Sequence, residues 1–585
     1  MLKKIITTLL SFSFLLCGNF PVSIFDIEEA KASSYNSLGD RPFMGWSSWS
    51  SIRKKPTEQN IKAAADVMAA KFKSHGYQYI NLDDYYMLDW TTAVDKYGRW
   101  VVDPKKFPNG MKALGDYIHH KGLKFGLYVT LGIPKGAVDQ NTPIEGTPYH
   151  AKDIVNFSKG QKVNFNFKNM YAIDFSKPGA QEYIDSWAQM FASYGVDYLK
   201  IDGVRNQDIQ DVEAWAKALK KTGRPIHVEL SNNLDIKHAS TWKELSNGWR
   251  TDHDVEAYGK PTLTNWKKVS RRFDDAAEWH KHAGPGGWND FDSLNVANGG
   301  KDGLTEEEKR SYVSLWAIAS SQFVIGNDLT KLDDYGISLL TNDEIIGANQ
   351  SGAAGKRLYK TAASQVFYQK LPDGSYNIGL FNTGTSSQNV SVKWADLGVE
   401  GSAMVHDMWS HQDLGSMDSG FTTELSTHAS RMVHVIPTSL SGNRYTPYDV
   451  KISSVPAAPD WVMVDRKDQN SVTITWNPIY GAESYTVYRK TINRFGFSSG
   501  YTLIAANLTE PNFEDKTATF RAGGSYSYVV TGKNAIGESA KSPKAQTDSQ
   551  SLMLVAIPMM LFFTVIILLK LFSTIRDKYQ LYRTA

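Results

Sequence analysis

The chain has 585 residues, with 64 Lys and Arg against 61 Asp and Glu, and a formal net charge of +3. So even a balance excludes the basic footprint of a nucleic-acid binder. The single cysteine, Cys17, lies in the leading segment, so a chain that has lost this segment has no disulfide and no thiolate metal site. A secreted chain without cysteine fits a bacterial source.

Lys3 and Lys4 precede an apolar run from Ile5 to Cys17, and Ala30-Lys31-Ala32 has the small-x-small form of a cleavage site. This predicts a secretory signal peptide over 1–32, with an uncleaved anchor helix as the alternative. From 36 to 349 strand-like and helix-like segments alternate. The strands are Tyr79–Leu82, Lys124–Val129, Val196–Ile201, Ile226–Leu230 and Phe323–Gly326; Thr57–His75, Gly179–Tyr194 and Asp208–Lys221 read as helices. Repeated strand–helix units predict a (β/α)8 TIM barrel. A doubly wound open sheet would show a Gly-rich phosphate turn after an early strand, and none is present.

Over 352–437 short alternating runs such as Ser375–Leu380, separated by turns such as Asp373-Gly374, predict an antiparallel β domain. A Ser-, Pro- and Asn-rich linker follows at 439–455. Over 456–548, Val472–Trp476, Ser484–Arg489 and Tyr526–Val530 give a Trp-ended strand, a Tyr-x-Val strand and a Tyr-rich strand. This β-sandwich resembles a fibronectin type III domain. A spacer is its expected role, with glycan or cell-wall contact the alternative. Leu552 to Leu569 is eighteen residues without a charge, and Lys570, Arg576, Lys578 and Arg583 follow. One transmembrane helix is expected over 552–572, with a cytoplasmic tail at 573–585. The expected location is the cell membrane, single-pass, with the catalytic part outside.

Two stretches carry the chemistry. Tyr198-Leu199-Lys200-Ile201-Asp202-Gly203 is an apolar strand ending in an acid, and Trp249-Arg250-Thr251-Asp252-His253-Asp254 ends a later strand-like segment in another. Two carboxylates at the ends of different barrel strands suit glycosidic cleavage. Lys200 lies two residues before Asp202 on one strand and so points to the same side, where its charge would lower the acid's pKa. The partner acid needs a less charged or more apolar setting to hold its proton. No cofactor and no metal are needed, because carboxylates supply acid, base and nucleophile.

Several ordered motifs add to these. They are Met44-Gly45-Trp46-Ser47-Ser48-Trp49, Tyr79 to Asp84, Lys200 to Gly203, Trp249-Arg250 with Asp254, Gly284-Pro285-Gly286-Gly287-Trp288-Asn289-Asp290-Phe291-Asp292, and Gly326-Asn327-Asp328-Leu329 with Asn349-Gln350. Together they resemble glycoside hydrolase family 27, the α-galactosidase or melibiase family, from Met44 to about Pro437. The resemblance implies Asp202 as nucleophile and Asp254 as general acid/base. It implies Asp83 and Asp84 on sugar hydroxyls, Trp46 and Tyr128 as pocket walls, and Lys200 and Arg250 beside the ring and the nucleophile. Glu229 falls at the position that reads the 2-substituent, and Asp292 at another pocket position. Asp252 and Glu256 compete with Asp254 for the acid/base role.

Some positions depart from the family pattern. Gly132 to Lys168 is longer than the usual loop and lacks its cysteine. Val204, Phe291 and Ser293 replace common family residues, and Leu230-Ser231-Asn232-Asn233 replaces the usual Trp-Pro after Glu229. The expected activity is a retaining exo-hydrolase of terminal α-galactosides. An α-1,6-glucan hydrolase or β-L-arabinopyranosidase with the same carboxylates, and an inactive carbohydrate-binding protein, are the alternatives.

Overall fold

The computed structural model describes residues 35–440 and 455–547, apart from 37, 165–166, 457, 460, 469, 477–478, 480–481, 494–495 and 521–523. The signal peptide 1–32, most of the linker 439–455, the span 552–572 and the tail 573–585 lie outside the described residues. Among the described residues no helix is long and apolar enough to cross a membrane.

Eight strands form one sheet: β1 (Met44–Ser47), β2 (Tyr79–Leu82), β3 (Lys124–Thr130), β4 (Val196–Asp202), β5 (His227–Leu230), β6 (Gly248–Arg250), β7 (Trp288–Asp290) and β8 (Phe323–Ile325). All neighbours pair in parallel, in the order β7-β6-β5-β4-β3-β2-β1-β8. The chain just past β7 meets the other edge. Leu294 N donates to Val324 O at 2.6 Å, and Gly326 N donates to Leu294 O at 2.9 Å. A helix follows each strand: α1 (Glu58–Val67), α2 (Gly110–His120), α3 (Ala180–Ser193), α4 (Ile209–Lys221), α5 (Ala239–Leu245), α6 (Arg272–Trp279), α7 (Glu306–Ile318) and α8 (Asp343–Asn349). The result is a TIM-like barrel.

The sequence explains these elements locally. β3 reads Lys-Phe-Gly-Leu-Tyr-Val-Thr and is buried throughout, as a parallel strand covered on both faces must be. The Thr57 hydroxyl accepts from Asn60 N at the start of α1, and Thr305 does the same for Glu308 N at α7. Lys220 and Lys221 close α4, where a positive charge suits the helix C-terminus. The expected helix Thr57–His75 is broken. α1 gives way to a π turn over Met68–Phe72 and a 3-10 turn over Lys73–His75, ending in left-handed Gly76. The long Gly132–Lys168 segment is a structured excursion. It carries helices Lys135–Gln140 and Ala151–Ile154, and Ile133–Pro134, Gln161–Asn164 and Phe167–Tyr171 share a small antiparallel sheet.

The expected antiparallel domain follows as β9 (Lys356–Lys360), β10 (Ser364–Lys370), β11 (Tyr376–Asn382), β12 (Gln388–Lys393), β13 (Ala403–Asp407), β14 (Gln412–Met417), β15 (Gly420–Leu425) and β16 (Ser430–Pro437). Six of these strands form one sheet, and β12 pairs with β15. Val366, Ile378, Leu380, Val390, Val392 and Trp394 fill its own core. Gln369 Nε2 ties it to the barrel, donating to Ile318 O at 3.1 Å and Ala348 O at 3.0 Å.

The last described unit is a seven-stranded sandwich. Val462–Arg466, Val472–Trp476 and Asn512–Asp515 make one sheet, and Thr502–Leu508, Ser484–Ile492, Ser525–Lys533 and Ala545–Gln546 make the other. Trp476, Val487, Tyr528 and Val530 pack between them. The Trp461 ring lies 4.7 Å from that of His119 on α2, away from the strand ends that carry the acids.

Candidate active site

The acids are delivered by strand ends. β4 closes on Asp202, and Gly203 follows with φ +72°, a conformation that favours glycine. There Gly203 N donates to Asp202 Oδ1 at 2.9 Å. Lys200, on the same strand, lies within 2.9 Å of Asp83 Oδ2. Ser47 Oγ also donates to Asp83, at 3.3 Å, and the Asp83 amide donates to Ser48 Oγ at 2.9 Å. Asp84 is held through Oδ1, which accepts from Tyr85 N at 2.6 Å and Trp90 Nε1 at 2.9 Å. Tyr128 lies buried over this corner, its ring 5.8 Å from Lys200 Nζ.

Arg250 organises the opposite side. Its Nε donates to Asp290 Oδ2 at 2.8 Å, and its Nη1 lies 3.2 Å from Asp254 Oδ1 and 3.0 Å from Asp292 Oδ2. Asp292 has φ +80° and takes Val255 N and Ser293 N on its two oxygens. A cavity beside these groups is lined by Trp49, Lys200, Arg250, Asp254, Asp290 and Asp292, among others.

The geometry separates Asp254 from its two competitors. The Asp254 side chain is 35% exposed and lines the cavity. Asp252 is clamped by Arg271 at 2.7 Å and Arg272 at 2.5 Å. Glu256 is buried and accepts from Ser50 Oγ. Asp254, Glu256 and Asp292 do approach one another closely enough to share a cation. Arg250 already supplies positive charge there.

Three readings change. Lys200 pairs with Asp83, not with the nucleophile. Asp202 is raised above the ordinary aspartate range, because burial outweighs the opposing pull of Lys200, and Asp83 and Asp254 add to the rise. Asp254 sits against Arg250 rather than in the less charged setting expected of an acid. Trp46 is 1% exposed, its indole N–H on Asn327 O at 2.8 Å, while Trp49 faces the cavity. Glu229 lines the cavity from deep inside, 1% exposed, with Oε2 accepting from Gln322 Nε2 at 2.6 Å. Gly248 makes room for it, since a Cβ there would strike both Gln322 and Glu229. Of the departures, Ser293 is on the cavity wall, and Phe291 packs edge-on against Trp316 in the core.

So many buried carboxylates cannot all ionise. Burial pushes Glu229 well above the ordinary range, aided by Asp290. Burial raises Glu256 to about 8, aided by Asp292 and Asp254, and raises Asp84 to about 7, aided by Asp83 and Asp202. Arg250 and the Val255 amide overcome burial at Asp292 and hold it low.

A stability signature follows. Glu256 is protonated when folded and ionised when unfolded between about pH 4.3, the free glutamate value, and about 8. Across that window folding takes up a proton, so stability falls as pH rises. Glu256→Gln, which keeps the oxygen facing Ser50, removes this loss. Its Tm relative to wild type should rise steadily from pH 5 to pH 8.5 in thermal melts, and a constant difference would refute the assignment.

Sequence comparison places the chain among known proteins. It matches the family model described as alpha galactosidase A over residues 42–138 and 152–351, and the alpha galactosidase C-terminal beta sandwich domain over 361–435. The α-galactosidase of Cyamopsis tetragonoloba is 32% identical over 69% of this chain and 88% of its own. Alpha-galactosidase A of Cellvibrio japonicus is 32% identical over 63% of this chain and 82% of its own. A crystal structure of the family 27 β-L-arabinopyranosidase of Geobacillus stearothermophilus, in complex with arabinose, is 31% identical. It covers 70% of this chain and all of that one, with a TM-score of 0.65. The family match and these relatives show a glycoside hydrolase on a TIM-like barrel. The chain belongs to glycoside hydrolase family 27, the α-galactosidase family.

Proposed function

We propose that the protein removes terminal α-D-galactosyl residues from oligosaccharides with retention of configuration. An Asp202 oxygen attacks the anomeric carbon while Asp254 protonates the departing glycosidic oxygen, giving a galactosyl ester on Asp202. Asp254 then takes a proton from water, the water oxygen attacks the same carbon, and Asp202 leaves. The observation that carries this reading is geometric. Asp202 closes β4 and Asp254 follows β6 at the same end of the parallel sheet, and Lys200, two residues before Asp202, lines one cavity with Arg250 and Asp254. Asp83 and Asp84 suit neighbouring hydroxyls on one edge of the sugar, where the axial 4-hydroxyl of galactose comes near the 6-hydroxyl.

A second reading rests on the likeness to the Geobacillus arabinopyranosidase. β-L-Arabinopyranose has the ring stereochemistry of α-D-galactose without the exocyclic CH2OH, so the same acids would cleave both. A panel of nitrophenyl glycosides separates the readings. The α-galactoside should exceed the α-glucoside in kcat/KM by tenfold to a few hundredfold, the cost of leaving a buried carboxylate unpaired. A preference for the β-L-arabinopyranoside supports the second reading. Equal or better cleavage of isomaltose-type substrates overturns the galactose assignment.

The enzyme is further proposed to act outside the cell, tied to the membrane by 552–572, with the sandwich as a fibronectin type III spacer. The support is the leading apolar run, the charge-free stretch at 552–569, and the three-plus-four strand pairing of the sandwich. Deleting everything after Asp548 should release active enzyme into the medium, whereas retention in the membrane fraction at high salt would refute the tether.

A further inference from the structure

Asp254 is gripped on both oxygens. Arg250 holds Oδ1, and the Tyr258 hydroxyl donates to Oδ2 at 2.5 Å. The same hydroxyl accepts from Trp49 Nε1 at 2.7 Å. Trp49 stacks with Tyr85 at 6.2 Å and 18°, and Tyr85 meets Trp90 edge-on at 4.5 Å. The Arg53 guanidinium lies 4.5 Å over the Tyr258 ring and 5.6 Å over that of Trp49. Tyr85 is held at φ +71°, a costly conformation for an aromatic residue. Tyr258 itself is 50% exposed.

We propose that Tyr258 is a positioning residue for the acid/base Asp254 and, with Trp49 and Tyr85, forms the aromatic wall of the leaving-group subsite. The proposal rests on the acid/base role of Asp254 and goes beyond it. With Arg250 on one oxygen and Tyr258 on the other, the carboxyl cannot rotate freely, so its proton is aimed at the glycosidic oxygen. Burial, with Glu256 and Asp254 close by, holds the phenol proton tightly, so the hydroxyl donates and does not itself become a base. The flat faces of Trp49 and Tyr85 suit the C–H side of a second sugar, which aromatic rings bind at small entropic cost.

The test compares two leaving groups. α-Galactosyl fluoride departs without a proton, and a disaccharide α-galactoside needs one. Tyr258→Phe keeps the ring and loses the hydroxyl. It should lower kcat/KM on the disaccharide by about tenfold or more, a part of the full general-acid contribution, and on the fluoride by less than about threefold. Tyr258→Ala should in addition raise KM for the disaccharide, and both variants should match wild type in thermal melts. Equal losses on the two substrates, or no loss on either, would overturn the proposal. A wild-type protein that turned over neither substrate would instead overturn the α-galactosidase reading, and this inference with it.

Discussion

Asp202→Ala is expected to lower kcat on nitrophenyl α-galactoside by about 10⁴-fold or more while leaving the Tm within a few degrees of wild type. The size follows from the role. No other carboxylate can form the ester at this point of the pocket, and loss of a nucleophile removes the covalent route entirely. Asp83 is the nearest alternative, but Lys200, Ser47 and the Ser48 hydroxyl hold it in place. The fold should survive because Asp202 is raised by burial and by Asp83 and Asp254, so removing it relieves repulsion as well as breaking the bond from Gly203. Azide added to this variant should give only the inverted galactosyl azide, since it attacks the anomeric carbon directly. Residual turnover within tenfold of wild type, measured on enzyme freed of contaminating glycosidase, would remove Asp202 from its role.

Asp254→Ala should behave differently. Its effect should depend on the leaving group, with a loss of about 10²–10⁴-fold on a disaccharide and a much smaller loss of the first step on a dinitrophenyl galactoside. With the activated substrate the second step becomes limiting, because no base remains to activate water. Azide needs no base, so it should speed turnover and give a product with the configuration of the substrate. Losing Asp254 removes one partner of Arg250 Nη1, which keeps Asp292, while Nε keeps Asp290. Uniform losses across leaving groups, with no azide product, would move the acid/base assignment to Glu256.

The barrel was legible where strands are long and built on apolar runs. β3 and β4 each run seven residues and announce themselves, as does the pattern of helices between them. The three-residue strands β6 and β7 carry Trp, Arg, Asn and Asp. Their pairing comes from neighbours in the sheet, and propensity says little about them. Asp202 and Asp254 could be found because ordered motifs surround them.

The partners of the site residues were less accessible. Lys200 and Asp202 share a strand face, so the sequence suggested a pair. The fold puts Asp83 on the neighbouring strand end within closer reach, a proximity between residues 117 apart that no local pattern encodes. Glu229 was placed at the 2-substituent by the family resemblance. Its side chain lines the cavity from deep inside and also meets Gln322, in the gap left by Gly248, a partner that no local pattern encodes. Trp49 was missed as a cavity group and Tyr258 as a partner of Asp254. Trp49 closes the first motif, which was a usable signal; Tyr258 lies four residues past Asp254 in an irregular loop, where spacing carries no direction.

The most direct measurement uses 5-fluoro-α-D-galactosyl fluoride, which forms a glycosyl-enzyme faster than it loses it, followed by digestion and mass spectrometry of the peptides. The account predicts one fluorogalactosyl group on the peptide containing Asp202, in time with loss of activity. An adduct on another carboxylate, or steady fluoride release with no adduct on an enzyme active toward α-galactosides, would contradict it.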